Sequence, residues 1–209
     1  MILDSHVHFN MILEDNRISE ADIVKSLRYN NIEYSVQVSV EDTDFIWSRD
    51  FAKRNHESGV YYTSGIHPSS RADSSLLSKL SSFVEQEMKS GHNHLLLGIG
   101  ECGLDFYRMR QKKETQIQSF ETQIDVAKKT RLPLIIHARD AMEETLSILK
   151  NKKYGYGIMH CFAGDPAAAK RVLDLGFFIS FAGNVTYKNA TILHDAAAYV
   201  PLDRLILET

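Results

Sequence analysis

The sequence predicts an α/β fold organised as a (β/α)8 barrel that lacks its final helix and a C-terminal segment. Three observations lead there. Short β-rich apolar runs alternate with longer amphipathic stretches, giving eight candidate strands separated by seven helical segments. That alternation builds a parallel sheet, and eight repeats favour a closed barrel over an open doubly wound sheet. The length of 209 residues falls short of the roughly 250 typical of such barrels by about one helix and a tail.

In chain order, strands are expected at residues 2–7, 34–40, 60–66, 95–99, 134–136, 157–159, 177–181 and 205–207. The stretch SEADIVKSLRYN opens with Ser19 three residues before Asp22, a capping-box start, and places Ile23 and Leu27 on one face. ETQIQSFETQIDVAKKT carries Ile117, Phe120, Ile124 and Ala127 on one stripe. DPAAAKRVLDLG begins with Asp165 as N-cap and Pro166 at the first helical position, and ends at Gly176 as the residue after the C-cap. With neither a long linker nor a low-complexity segment, one domain over residues 1–209 is expected.

Composition excludes several classes. A net charge of −3 provides no global attraction for nucleic acid, so any such contact must come from a local basic patch. No apolar run is long enough to span a membrane, and MILDSHVH is not a signal peptide. Cys102 and Cys161 lie far apart without metal-type spacing, which suits reduced thiols in a cytoplasmic protein.

Barrels of this class collect functional residues where strands end. The expected strand ends read SHVH, GIHP, GIGE, IIHARD and IMHCF, so His6, His8, His67, Glu101, His137 and His160 recur on one rim. Residues two apart in a strand point the same way, so His6 and His8 can share one metal ion. With nine histidines in the chain such a pair also arises by chance; here the convergence of four further candidates supplies the context. HNH at His92–His94 has the same spacing but falls on the opposite face, where a solvated loop is expected; His56 and His194 belong to surface helices. If Glu101 and His160 face the interior, alternation turns Cys102 and Cys161 towards the helix layer as small buried apolar groups.

The ordered series DSHVH, GIHP, GIGECGLDFYR, PLIIHARDA, HCFAG and LILET covers essentially the whole chain and resembles the TatD family of metal-dependent deoxyribonucleases, in the amidohydrolase-like group of TIM barrels. The resemblance implies two divalent metal ions: His6 and His8 hold one, His137 and His160 the other, and Glu101 bridges them as the catalytic carboxylate. Imidazole and carboxylate suit Zn²⁺, Mg²⁺ or Mn²⁺ without distinguishing them. Two ions sharing a hydroxide supply a nucleophile near neutral pH and clamp phosphoryl oxygens. In the family's pattern the eighth strand continues as ETD, its aspartate completes the metal site, and a helix follows. The sequence here stops at Glu208-Thr209, so the resemblance implies a shortened barrel with uncovered outer faces on its first and last strands. Glu208, one layer deeper, is not expected to replace that aspartate.

Substrate contacts follow from position. Arg139, two residues beyond His137, either grips a phosphate or pairs with a neighbouring loop. DFYRMRQKK places Arg108, Arg110, Lys112 and Lys113 on the catalytic face, either tracking a nucleic-acid backbone with Tyr107 available for stacking, or simply solvating a helix start. KNKK at 150–153 ends a helix on the far side. His67 touches substrate or metal-bound water, or is hydrogen-bonded at the rim. The function expected is hydrolysis of DNA, with other nucleic acids as further substrates. The alternatives are hydrolysis of an amide, ester or aminoacyl bond by the same centre, and a metal-binding barrel impaired in catalysis.

Overall fold

The computed structural model describes residues 2–16 and 18–209. Eight strands run β1 (Ile2–Val7), β2 (Ile32–Val38), β3 (Val60–Ser64), β4 (Leu96–Asp105), β5 (Leu134–Arg139), β6 (Gly157–Met159), β7 (Phe178–Phe181) and β8 (Leu205–Leu207). They form one parallel sheet in sequence order, joined by seven ladders from β1·β2 to β7·β8. β1 and β8 meet through side chains: Ser5 donates to the Leu207 carbonyl (3.1 Å), while Thr209 donates to Asp4 through its backbone N–H (3.1 Å) and its hydroxyl (2.6 Å). The sheet is therefore an almost closed barrel, and the expected fold class is met. The apolar side chains of Ile2, Leu3 and Leu207 remain exposed on its outside.

The helices are α1 (Phe9–Asn16), α2 (Glu20–Tyr29), α3 (Asp44–Asn55), α4 (Ser74–Met88), α5 (Lys113–Thr130), α6 (Met142–Lys152), α7 (Pro166–Asp174) and α8 (Thr191–Tyr199). Seven helical segments were expected and eight α-helices are present among the described residues. The first crossover holds two, because the eight-residue α1 starts immediately after His8. The capping box of Ser19 and Asp22 forms as read, with both reciprocal bonds present. Asp165 caps α7 through the Ala168 N–H, and Gly176 follows its C-cap at φ +98°. Phe120, Ile124 and Ala127 are fully buried against the sheet, with Ile117 packed at the margin.

Two strand boundaries correct the sequence reading, and both concern the site. β4 runs to Asp105, six residues past the expected end, and β5 continues to Arg139. Glu101 therefore lies inside a strand, at an irregularity where Ile99 pairs with Leu134 but Cys102 with Ile136, leaving two β4 residues opposite one of β5. A bulge of this kind re-aims a side chain without ending the strand. β1 has its counterpart: Asp4 pairs with Ser35 and Val7 with Gln37, so Ser5 and His6 oppose one residue. The alternation argument for the cysteines survives at Cys102, which is buried in the core with its thiol pKa pushed up by that burial. It fails at Cys161. β6 ends at Met159, so Cys161 sits in a turn at φ +43°, half-buried, with the Asn184 amide 3.8 Å from its sulfur.

Close packing of β4 on β5 places a demand on Gly103. Its φ is +130°, and a Cβ there would lie 2.1 Å from the His137 carbonyl oxygen. Gly103→Ala must part the two strands beside His137. It is expected to cost at least about 1 kcal/mol in urea unfolding, with a lowered midpoint and an unchanged slope.

Candidate metal centre

Three strands, β1, β4 and β5, and the residues just beyond β1, β3 and β6 bring five imidazoles to one carboxylate. Glu101 is 3 % exposed. Its Oε2 faces His6 Nε2 (3.3 Å) and His8 Nε2 (3.7 Å). Its Oε1 faces His137 Nδ1 (2.9 Å), His160 Nε2 (3.2 Å) and His67 Nε2 (3.4 Å). His6 and His137 come from strands; His8, His67 and His160 from the residues just beyond β1, β3 and β6. The backbone N–H of Glu101 donates to the Ser39 carbonyl (2.8 Å), tying the bulge to the end of β2.

On three of the rings a hydrogen bond on the far side decides which nitrogen faces the centre with a lone pair. His8 Nδ1 lies 2.9 Å from the Val38 carbonyl, which only accepts, so Nδ1 carries the proton and the Nε2 lone pair faces inward. His160 Nδ1 donates to Glu208 (2.8 Å), and Ser180 donates to the other oxygen of that carboxylate, so Nε2 is the nitrogen that gives up its proton when the His160 ring becomes neutral. His67 is reversed. Its Nδ1 accepts from the Ser69 N–H (3.0 Å), which leaves the proton on Nε2 as a donor to Glu101. In this tautomer His67 has no lone pair to offer the centre.

The donor set fits divalent cations. His6 Nε2 and His8 Nε2 are 3.2 Å apart, close to the about 3.3 Å separating two imidazole nitrogens on a tetrahedral ion at bond lengths of about 2.0–2.1 Å. Two groups of ligand-type atoms converge around Glu101, one with His6 and His8, the other with His137 and His160. His6 Nδ1, His137 Nε2 and Asp105 Oδ2 are buried without hydrogen-bond partners, as polar atoms awaiting a cation or water are.

Charge is distributed unevenly among these groups. Burial works against the charge on His160, but the carboxylates of Glu101 and Glu208 on either side outweigh it and hold its pKa up at about 10. His6, stacked on His160 with ring centroids 3.8 Å apart, is pushed down by burial and by that neighbouring charge. Burial would raise Glu101, yet the His160 charge and the imidazole hydrogen bonds hold it well below the usual carboxylate range. Glu208 is also lowered: burial pushes it up, but the hydrogen bond and charge of His160, the nearby His6 and the Ser180 hydrogen bond together outweigh that. The two depressed carboxylates stabilise the fold fully above their unfolded pKa, and that contribution fades as pH falls. His160 acts oppositely, contributing fully below about 6.5 and losing its contribution as pH rises through about 10.

The remaining expected residues divide between two cavities. One of about 440 Å³ is lined by His8, His67, His137 and His160 with Arg108 and Arg110. The Arg108 backbone N–H donates to Asp105 (2.8 Å), which fixes the loop that carries both arginines. Arg139 does not line that cavity. Its guanidinium lies over the exposed Tyr107 ring, 4.0 Å from the centroid, and it lines a neighbouring cavity of about 600 Å³. His92 and His94 are exposed ahead of β4, and His56 and His194 are exposed elsewhere, as read. Sequence reasoning missed Asp105, whose Oδ2 lies 3.3 Å from His137 Nε2. Its signal was the run of apolar residues and glycines from Gly98 to Leu104, interrupted by Glu101 alone, which would have moved the strand end. It also undervalued Glu208, which supports His160 from beneath.

An eight-stranded parallel barrel with imidazoles and carboxylates gathered at its strand ends defines a metal-dependent hydrolase of the TIM-barrel class. The profile of the family described as TatD related DNase matches residues 3–209, and the chain belongs to that family. It is 33 % identical to the uncharacterized metal-dependent hydrolase YcfH of Escherichia coli K12 across all of this chain and 76 % of that protein. It is also 33 % identical, over 74 % of its length and 58 % of the relative's, to a Klebsiella pneumoniae protein named 3′-5′ ssDNA/RNA exonuclease TatD. In fold it matches the crystal structure of YjjV, a TatD homolog from E. coli K12, with a TM-score of 0.88 at 24 % identity, covering 100 % of this chain and 78 % of that one.

Two outcomes follow from the ring tautomers. A divalent ion taken up through His160 Nε2 must displace a proton, so titration calorimetry at pH 7.5 in buffers of different ionisation enthalpy is expected to register about one proton released per such ion. Metal analysis of purified variants is expected to find His67→Gln with the wild-type metal content and His6→Ala with less. Equal loss in both would assign His67 a ligand role that its hydrogen bond to Ser69 opposes.

Proposed function

We propose that the chain hydrolyses phosphodiester bonds of nucleic acid, DNA foremost, at a pair of divalent ions bridged by Glu101. The observation that carries this reading is the division of one buried carboxylate between two histidine pairs, Oε2 towards His6 and His8, Oε1 towards His137 and His160. When bound, two such ions lower the pKa of water and clamp phosphoryl oxygens on either side of an in-line displacement. The Klebsiella relative's name, an exonuclease of single-stranded DNA and RNA, favours the same substrate class.

The chain's own residues supply the rest. His6 and His8 hold one ion, His137 and His160 the other. Val38 and Glu208 lock the His8 and His160 rings with Nε2 inward, the arrangement that ligating histidines require. His67, a donor at the inner wall, steadies Glu101 through Oε1. Arg108 and Arg110 line the mouth of the cavity and offset phosphate charge. Tyr107, 63 % exposed, offers a face on which a base stacks.

The test is hydrolysis of a labelled single-stranded oligonucleotide with added Mg²⁺ or Mn²⁺. Loss of a ligand's supporting partner already costs about 10–100-fold in metal affinity or activity, so His137→Ala, which removes a ligand, is expected to lower turnover by at least about 100-fold. Cleavage of an amide or ester by the wild-type protein, with oligonucleotides left intact, would overturn the reading.

A further inference from the structure

We propose that the cavity of about 600 Å³ beside the histidine centre is a nucleobase subsite, receiving the nucleoside next to the phosphate held at the metals. This rests on the phosphodiester reading above. The two cavities share strands. On β5, His137 faces the metal centre while Ala138 and Arg139 line the neighbour; on the loop after β4, Phe106 lines one cavity and Arg108 the other. His137 and Arg139 are two residues apart, a span of roughly 7 Å along a strand, which one nucleotide unit can bridge.

The lining suits a planar, mostly apolar ligand attached to a charged backbone. Phe106, Ala138 and Met142 form an apolar floor. Two cations flank it. Arg139 lies on the Tyr107 ring at the boundary between the cavities, and Lys113 Nζ sits 4.6 Å from the Phe106 ring centroid. Arg139 is held on an aromatic face, where a cation keeps its charge available to a phosphate. The acidic residues at the start of α6 are already engaged. Glu143 pairs with Arg171, and Glu144 lies 3.7 Å from Lys113. Asp140, on the cavity wall at φ +52°, offers a carboxylate to the N–H edge of a base. A concave, largely apolar site with a few polar groups is the form small planar ligands select.

Abasic scanning of a phosphorothioate-linked single-stranded oligonucleotide, which resists hydrolysis, tests the subsite by fluorescence anisotropy on the full chain with Mn²⁺. One position is expected to stand out, its base removal weakening wild-type binding about tenfold. In Ala163→Trp, which fills the mouth of the cavity from an exposed loop position, that position is expected to lose its special penalty. Phe106→Ala removes the floor without adding bulk and should do the same; circular dichroism checks the fold of both variants. An abasic profile identical in wild type and both variants would overturn the subsite, even with an active enzyme. A position-dependent profile in a protein that cleaves no oligonucleotide would instead retain the subsite and overturn the phosphodiester reading.

Discussion

Everything at the histidine rim depends on keeping one buried carboxylate charged. Glu101 is buried among imidazoles, and a carboxylate so placed would normally take up a proton. It stays ionised because histidine rings surround it and His160 carries a positive charge between two acids, Glu101 and Glu208. Each surrounding feature serves that arrangement. The β4 bulge turns the side chain inward, Gly103 permits β5 to approach, and the Ser39 carbonyl pins the Glu101 backbone. A cation held by these same atoms would replace the protons without altering this charge logic.

Much of the architecture was legible in the chain because barrels repeat one physical pattern. Alternating short apolar runs and amphipathic stretches located eight strands, and the strand-end motifs gathered the histidines on one rim. Caps were equally readable, since Ser19, Asp165 and Gly176 act through local geometry alone. What escaped was set by tertiary packing. The glycine-rich end of β4 looks like a loop in isolation and becomes strand only when β5 lies against it, which hid Asp105. Bulges at His6 and Glu101 break the period of two that orientation arguments rely on. Cys161 was misplaced for the same reason, since its strand stops two residues earlier.

His67 shows why ligand counting from sequence falls short. Five histidines reach Glu101, and residue type alone gives them equal standing. On three of the rings the outer nitrogen is assigned by its partner, a carbonyl for His8, a carboxylate for His160 and a backbone N–H for His67. These partners come from distant parts of the chain or from turn geometry, so no motif records them. The division between inward-facing lone pair and inward-facing proton is therefore a property of the fold.

The seam between β1 and β8 bears on how the barrel breathes. Elsewhere neighbouring strands share backbone ladders; here side chains of Asp4, Ser5 and Thr209 carry the junction. A junction of few bonds is where local opening is easiest. His6 stands on one side of it, while Glu208 and His160 stand on the other. Two ions, one held by His6 and the other by His160 and joined through Glu101, would act as a clasp, and through linkage their binding energy would favour the shut form. Loading and release of the ions would then be coupled to the opening of a single strand junction, and the rate of metal exchange would report on barrel motion.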